Sequence, residues 1–447
     1  MKPTETVHAA CCEGPSVRYV QLTAVMTYVC HVLRSLGRPE ALLRILLLGL
    51  CATWLTACIA YQRAGVPIKH MATAEVSGYP GDIRDWGDSY ASFPAERLVL
   101  FRDQRIKAAK TDPSIRLGEL NALTLSGGGS NGAFGAGILA GWSKAGTRPK
   151  FDIVTGVSAG ALIAPFAFLG PAYDDQLNQG LRKLSDKDIY TKNSIFGVFS
   201  SASFTSNAPL ARMLDERITE EMLDKIAEEW GKGRRLFIGT TNLDADRAVI
   251  WDMGAIAASN RPDRLKLFRQ VTLASTSIPG IFPPVEVKVT AAGKSYQEMH
   301  VDGGTSNEVF LMPAGLSLRE LDQAFHVPVK ARLYIVRNGR TTPEPSIVKA
   351  TLPDIAEKAV SSLIKTQAIG DLYRLYAIAK RDGIDYNYID VPVDFTVEEK
   401  SPFDSNYMRA LYEQGYETGR HGVPWKKAPP GLLQAGPKLL HQSAELK

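Results

Sequence analysis

The chain has 447 residues, of which 22% are charged and 45% are hydrophobic, and its net charge is +5. This composition is typical of a globular protein and argues against intrinsic disorder, collagen-like repetition and a multi-span membrane protein. The small positive surplus, with no basic stripe interleaved with aromatic residues, gives no support for nucleic-acid binding.

The cysteines are distributed unevenly along the chain. All five lie within the first 58 residues. A disulfide framework or a cysteine-based zinc site in the rest of the chain is therefore excluded. Two interpretations stay open: chance within an unprocessed N-terminal segment, and a main body that avoids stray thiols in an oxidising compartment.

A signal-peptide pattern precedes the main part of the chain. Arg44 is followed by an uncharged apolar run at 45–54 and then by Leu55-Thr-Ala-Cys58. A positive region, a short apolar run and small residues, in this order, are typical of a secretory signal. Leu55-Thr-Ala-Cys58 also resembles the lipobox of bacterial lipoproteins, which implies that Cys58 is lipidated as the first mature residue. Ile59 replaces the Asp that this resemblance associates with inner-membrane retention, so the outer membrane or the periplasmic face is favoured.

Residues 1–57 are accordingly predicted to be a lipoprotein signal peptide, and residues 58–115 a tether and N-terminal extension. The uncharged stretch at 45–61 leaves an uncleaved membrane anchor as one alternative, although a span needs about 20 residues. The other alternative is that the segment is neither a signal peptide nor an anchor. The long segment before the apolar run makes Met26 an alternative start.

The next segments alternate between strand and helix patterns. Glycine and proline residues at 62–93 predict a tether or surface loop. An apolar run at 120–125 predicts a buried strand, residues 131–145 have helical spacing, residues 151–155 form a second strand pattern, and residues 159–169 an apolar helix. Strand, helix, strand and helix in this order predict a parallel sheet with right-handed crossovers.

The remaining chain predicts two hairpins, a late strand and a long helix, at residues 236–252, 285–301, 331–336 and 353–381. The first hairpin turns around 244–246 and the second at Gly293. The long helix is interpreted as a cover of the core sheet, with a membrane-docking role as the alternative.

The motif Gly156-Val-Ser158-Ala-Gly160 lies between a predicted strand and a predicted helix. This is the pattern of a nucleophile elbow, in which a sharp turn exposes the serine hydroxyl and the flanking glycines relieve crowding. The motif is weak by itself because glycine and serine are common residues. Its strand–turn–helix context favours the elbow.

A second motif, Gly127-Gly128-Gly129-Ser-Asn131-Gly132, also follows a strand and precedes a helix. Consecutive glycines let backbone amides converge on an anion, and a helix N-terminus adds positive potential. The pattern also fits a dinucleotide-binding loop, but that alternative requires an acid at the end of the next strand. The only acid in that strand, Asp152, lies at its start.

The third motif is Asp302-Gly303-Gly304, directly after a predicted strand. An isolated Asp-Gly is typically a turn, but an elbow serine needs a base. His300 would share a strand face with Asp302, and it is interpreted as a packed or solvent-facing side chain. None of the later histidines, which are His326, His421 and His441, lies beside a convincing strand end.

These motifs, together with Ala274-Ser-Thr-Ser-Ile-Pro-Gly-Ile-Phe-Pro-Pro-Val285, resemble the patatin-like phospholipase family in identity and order. The resemblance implies a three-layer α/β fold with a mostly parallel central sheet and helices on both faces. It also implies an acyl hydrolase with a Ser–Asp dyad that needs no histidine. Ser158 would be the nucleophile, Asp302 its base, and the amides of Gly127, Gly128 and Gly129 the oxyanion hole. The glycines that support the motifs are Gly132, Gly156, Gly160, Gly303 and Gly304.

The chain departs from the family at Asn131, where Lys or Arg is common, and this weakens a specific claim for phospholipids. Residues 116–315 are predicted to form the catalytic domain, 316–425 the C-terminal part of the same fold, and 426–447 a loose tail. The expected partners are a lipid or acyl-ester substrate and a membrane, without nucleic acid, cofactor or metal. Two alternatives remain: a catalytically silent lipoprotein scaffold of the same fold, and an ordinary α/β-hydrolase with a late His.

Overall fold

The computed structural model describes residues 63–79, 81–88, 95–181, 186–192, 203, 205–311 and 318–432. The predicted signal peptide, Cys58 and most of the predicted tail lie outside these residues. Within the described ranges, no helix is both long and apolar enough to cross a membrane.

Ten strands form one sheet, in the order β1-β9-β10-β7-β4-β3-β11-β12, and β8 pairs with both β7 and β2. Two further strands, β5 and β6, pair with each other. The strands are β1 (Glu75–Val76), β2 (Arg84–Trp86), β3 (Glu119–Leu125), β4 (Ile153–Gly156), β5 (Thr191–Lys192), β6 (Thr205–Ser206), β7 (Arg235–Asn242), β8 (Arg247–Asp252), β9 (Val285–Ala291), β10 (Lys294–Asp302), β11 (Lys330–Arg337) and β12 (Asp385–Asp390).

The five adjacent strands β7, β4, β3, β11 and β12 are parallel to one another. The remaining pairs, including the hairpins β7–β8 and β9–β10, are antiparallel. The predicted mixed α/β fold with a parallel centre is thus confirmed, and both predicted hairpins are present. Because parallel strands share a direction, their carboxyl ends lie along one edge of the sheet, where α/β proteins bind ligands.

Helices surround the sheet. They are α1 (Ala95–Ala109), α2 (Gly132–Lys144), α3 (Ala159–Leu169), α4 (Asp174–Leu181), α5 (Asp186–Ile189), α6 (Ala208–Arg217), α7 (Glu220–Gly231), α8 (Met253–Ala258), α9 (Arg264–Ser275), α10 (Leu318–Phe325), α11 (Leu352–Asp382) and α12 (Ser405–Arg420). The segment that follows the predicted late strand and long helix holds β12 and α12, which the sequence did not predict.

Two buried clusters lie on opposite faces of the sheet. Leu123 and Leu125 belong to one cluster, with α2 and α3, whereas Ala122 belongs to the other, with α1 and α11. Alternate residues of a strand point to opposite faces. Burial on both faces explains why the central strands read as continuous apolar runs.

The described residues between 63 and 88, predicted as a tether or surface loop, contribute two short strands to the sheet. β1 pairs with β9, and β2 pairs with β8. Arg84 forms an ion pair with the buried Glu298, and Arg63 forms a partly buried ion pair with Asp244. Strands of two or three residues have no visible periodicity, and their partners lie far away in the sequence, so local patterns could not reveal them.

The long helix α11 covers the core only with its second half. Ala368, Leu372 and Leu375 are buried, whereas Leu352 and Leu363 are 82% and 70% exposed. Its interpretation as a core cover therefore applies only to the part that follows residue 367. In the predicted loose tail, the backbone of Lys426 exchanges two hydrogen bonds with Tyr388 of β12.

Candidate active site

Ser158 stands on a tight turn between β4 and α3. Its backbone has φ 53° and ψ −123°, a conformation that L-residues rarely adopt. A Cβ added to Gly156 would lie 2.5 Å from the Gly160 carbonyl oxygen, and one added to Gly160 would lie 2.2 Å from the Leu125 oxygen. Both positions therefore require glycine, and the predicted elbow geometry is present.

A neighbouring serine fixes this turn. The Ser158 amide donates a hydrogen bond to Ser275 Oγ at 3.0 Å, and the Ser275 hydroxyl donates to the Gly239 oxygen of β7 at 2.7 Å. Ser275 belongs to the segment 274–285, to which the sequence assigned no role. Its position within a family motif was the available signal.

Asp302 ends β10 and is 1% exposed. Its Oδ1 accepts a hydrogen bond from the Gly304 amide at 2.8 Å, and its buried Oδ2 makes no hydrogen bond of standard geometry with the described residues. Burial raises the pKa of Asp302 to about 7, although the adjacent Ser158 hydroxyl and the Gly304 amide act to lower it. The structure therefore brings Ser158 and Asp302 together around a carboxyl of raised basicity.

The glycine that follows Asp302 permits close packing on β7. A Cβ added to Gly303 would lie 2.5 Å from the Gly239 carbonyl oxygen. The Asp302 amide donates to the Ser277 oxygen at 2.9 Å. Both contacts hold the end of β10 beside the elbow.

The glycine loop follows β3 and passes the elbow. Gly128 has φ +148°, and a Cβ on it would lie 1.8 Å from the Asn338 carbonyl oxygen, while Gly129 has φ +56°. A Cβ on Gly127 would lie 2.8 Å from Ser158 Cβ. The amides of these three glycines donate to no other described residue, so the loop carries three unused donors, and Gly127 places it beside Ser158.

Two asparagines hold the loop. The Asn338 side chain donates to the Ser126 oxygen at 2.7 Å and accepts from the Gly135 amide at 3.0 Å. Asn131, where the family commonly has a basic residue, accepts a hydrogen bond from the Tyr407 hydroxyl at 2.5 Å. Tyr407 lies on α12, so this contact could not be predicted without that helix.

His300 is fully buried and uses both ring nitrogens. Nδ1 lies 3.0 Å from Thr240 Oγ1, and Nε2 lies 3.1 Å from Glu298 Oε2. Burial lowers the pKa of His300. The side chain is therefore packed, as one of its two predicted placements had it, and neither nitrogen is free to accept the Ser158 proton.

The later histidines lie away from Ser158 where the structure describes them. His326 is in the turn before β11, at the amino edge of the parallel strands, whereas Ser158 lies at the carboxyl edge. His421 is exposed after α12 and contacts Glu417. His441 lies outside the described residues.

Asp152 lies at the amino end of β4, and its carboxylate is engaged by other residues. It forms an ion pair with Arg105 at 2.6 Å and accepts a hydrogen bond from the Asn121 amide at 2.8 Å. The acid that a dinucleotide loop would need at the carboxyl end of this strand is therefore missing from β4 itself.

Glu308 is a further buried acid at the site that the sequence did not single out. Its side chain is buried, and its amide donates to Asp371 Oδ2 of α11 at 2.8 Å. Burial raises the pKa of Glu308 well above its usual value, and the nearby Asp302 raises it further. A single Glu in an irregular segment carries no recognisable pattern, so only the structure reveals it.

Comparisons with known proteins give one family match and distant structural similarities. Residues 123–314 match a family model described as Patatin-like phospholipase. A search of curated proteins finds no match. The solved structures with some similarity include VipD from Legionella pneumophila, with 14% identity over 68% of this chain and 67% of that chain and a TM-score of 0.31. They also include human GIVD cytosolic phospholipase A2, with 12% identity over 77% of this chain and 42% of that chain and a TM-score of 0.22.

Such low identities and TM-scores carry no argument about function. The family match is different, because its range contains the glycine loop, the Ser158 elbow and Asp302. Over residues 123–314, this chain therefore matches the patatin-like phospholipase family.

Proposed function

We propose that the protein is a lipid acyl hydrolase that cleaves carboxylic esters through a Ser158–Asp302 dyad and an acyl-enzyme intermediate. The observation that carries the proposal is the meeting of three features: a serine on a positive-φ turn, a buried carboxyl of raised pKa and a loop of unused amides. The family match over residues 123–314 supports the class of reaction.

In the first half-reaction, ionised Asp302 accepts the proton of the Ser158 hydroxyl while Oγ bonds to the ester carbonyl carbon. A serine hydroxyl is a poor nucleophile at neutral pH, and burial makes the carboxylate a stronger base. The carbonyl oxygen becomes negatively charged, and the amides of the glycine loop stabilise that charge. Asp302 then gives the proton to the departing alcohol as the bond between the carbonyl carbon and the alcohol oxygen breaks.

The second half-reaction repeats these steps with water. A water molecule gives a proton to Asp302 while the water oxygen attacks the carbonyl carbon of the acyl group on Ser158. The bond to Ser158 Oγ breaks, Oγ recovers the proton from Asp302, and the carboxylic acid leaves. One base serves both halves, and His300 has no part because both of its ring nitrogens are occupied.

The test is a panel of short acyl esters, lysophospholipids and diacyl phospholipids, assayed with the wild type and Ser158→Ala. Ser114→Ala is the matched control, because Ser114 is an exposed serine before β3 at the opposite edge of the sheet. Ser158→Ala should lose at least about a thousandfold in turnover, and the control should lose nothing. Unchanged hydrolysis by Ser158→Ala would refute the proposal. A wild type inactive on every ester would favour the silent scaffold.

We also propose attachment to the cell envelope through a lipid on Cys58, with the outer membrane or its periplasmic face favoured. The support is the order of Arg44, the apolar run at 45–54 and Leu55-Thr-Ala-Cys58. A membrane-attached hydrolase would meet lipid substrates at the surface that holds it.

A further inference from the structure

The Glu308 carboxyl lies between the glycine loop and the segment that follows Asp302. A Cβ added to Gly127 would be 2.5 Å from Glu308 Oε1, and one added to Gly304 would be 2.2 Å from Oε2. The Cβ added to Gly304 would also lie 3.1 Å from Asp302 Oδ1. The acid therefore packs against the backbone at both positions and neighbours the proposed base, although the mechanism above gives it no role.

Three charged groups face this carboxyl from three elements: Asp302 at the end of β10, Asp371 on α11 and Arg337 on β11. Asp371 accepts hydrogen bonds from two backbone amides and pairs with Arg374 at 3.2 Å. Among the described residues, Arg337 makes no ion pair with Glu308 within 4.0 Å. Glu308 is thus an acid set among acids, without a close counter-ion in this part of the chain.

The hydrogen bonds decide which of the two acids at the site holds the charge. Two buried carboxyls side by side cannot both ionise readily. Asp302 accepts from the Gly304 amide and interacts with the Ser158 hydroxyl, and both contacts favour its ionised form. Oε2 of Glu308 is buried and has no hydrogen-bond partner among the described residues. The charge therefore belongs on Asp302 and the proton on Glu308.

Building on the proposed function, we propose that Glu308 is a positioning residue: its protonated carboxyl supports the glycine loop at Gly127 and leaves Asp302, rather than Glu308, as the charged acid beside Ser158. Ionisation of Glu308 would put a negative charge against the loop whose amides must stabilise a developing anion. It would also oppose the ionised form of Asp302. Glu308 therefore acts through its neighbours, and its loss of a proton ends activity at alkaline pH.

The test is the pH profile of kcat/KM for the wild type and Glu308→Gln, which keeps the shape of the protonated acid at every pH. Glu308→Gln should retain activity within about threefold near pH 7.5 and leave the acid limb in place, because no charge has been removed. Its alkaline limb should disappear. If the glutamine variant does not fold, Glu308→Met, whose side chain is also neutral and of similar length, is tested in its place.

Asp371→Asn is the control, because it changes the next acid without touching the glycine loop, and it should keep an alkaline limb. An alkaline limb that persists in Glu308→Gln overturns the proposal. So does an acid limb that moves down by about one pH unit or more, since Glu308 would then have carried the charge. A folded Glu308→Gln that loses most of its activity is equally contradictory, because it would mean that the ionised form is required.

An infrared measurement separates this inference from the proposed function. At pH 8, the full-length wild type should show the carbonyl band of a buried protonated carboxyl, and Glu308→Gln should lack that band. This readout needs no substrate. A missing band in the wild type overturns the role of Glu308 even if the protein hydrolyses esters, and a present band supports the protonated acid even if no ester in the panel is cleaved.

Discussion

Ser158 and Asp302 each occupy an unfavourable local environment. A non-glycine residue at positive φ costs on the order of 1–3 kcal/mol, and Ser158 has φ 53°. Burial of Asp302 disfavours its ionised form and raises its pKa to about 7. Neighbouring contacts maintain both features, since Ser275 holds the elbow and the Gly304 amide holds the carboxyl. Ser158, which is buried, thus lies beside a carboxyl whose pKa is near neutrality, as the proposed dyad requires.

If the two residues act as one unit, Ser158→Ala and Asp302→Asn should each remove most of the activity. The double mutant should be scarcely worse than either single mutant, because effects within one catalytic unit are not additive. A serine-directed organophosphonate should label the wild type at Ser158 and label Asp302→Asn far more slowly. Mass spectrometry of the labelled peptide measures both rates.

His300 supplies the control for the dyad. His300→Gln keeps a polar side chain between Thr240 and Glu298, so turnover should stay within a few-fold of the wild type. A folded His300→Gln as inactive as Asp302→Asn would instead assign the base to histidine.

The pKa of Asp302 also predicts how activity depends on pH. The base works only when ionised, and its pKa of about 7 means that it becomes protonated as the pH falls through neutrality. Below that value, kcat/KM should fall about tenfold for each pH unit. The measurement uses an ester whose own groups do not titrate. A flat profile between about pH 5 and pH 8 would show that no group with a raised pKa is required.

The sequence singled out the candidate site residues that belong to motifs and missed the residues that only support them. Ser158 and Asp302 stand within glycine-containing patterns at strand ends, and the structure brings both together. Ser275 acts through a hydroxyl that bridges two backbone segments, and Glu308 through burial against Gly127. Neither role leaves a local pattern, because each depends on contacts between distant parts of the chain.

At the scale of elements, the glycine loop depends on the neighbouring β11 terminus. The Asn338 carbonyl occupies the space where a Gly128 side chain would be, and the Gly128 backbone has φ +148°. Gly128→Ala should therefore displace the loop and its amides. Loss of one oxyanion donor costs about 10²–10³ in turnover, which steady-state kinetics on a short acyl ester would measure.

Gly231→Ala is the matched control for that change. Gly231 ends α7, and a Cβ there would meet nothing within 4 Å. Its turnover should equal that of the wild type. Near wild-type turnover in a folded Gly128→Ala would mean that the loop has a structural role only.

Predictability of the elements followed their length and burial. β3, β4 and α3 are apolar runs buried on both sides, and their patterns gave the parallel centre of the sheet. β1 and β2 are too short to show periodicity. The helix α11 has apolar residues along its whole length, yet only its second half is buried, because hydrophobic spacing does not state whether a partner surface exists.

For the whole molecule, the parallel direction of the central strands gathers the site at one edge. The glycine loop follows β3, the elbow follows β4, and Asn338 follows β11 at their carboxyl ends. Asp302 arrives there from the antiparallel strand β10, which pairs with β7. Consequently, residues far apart in sequence meet at this edge of the sheet.

The largest-scale prediction concerns membrane attachment, on a segment outside the described residues. Cys58 follows a positive residue, an apolar run and Leu55-Thr-Ala. The intact mass of membrane-extracted protein should therefore equal that of a chain that starts at a lipid-modified Cys58. Several acyl chains would hold it firmly, because a single chain gives only marginal, reversible binding. Cys58→Ser should abolish lipidation and membrane retention, whereas the matched control Cys51→Ser, within the apolar run, should preserve both. A mature form that retains residues 45–57 would instead indicate an uncleaved anchor.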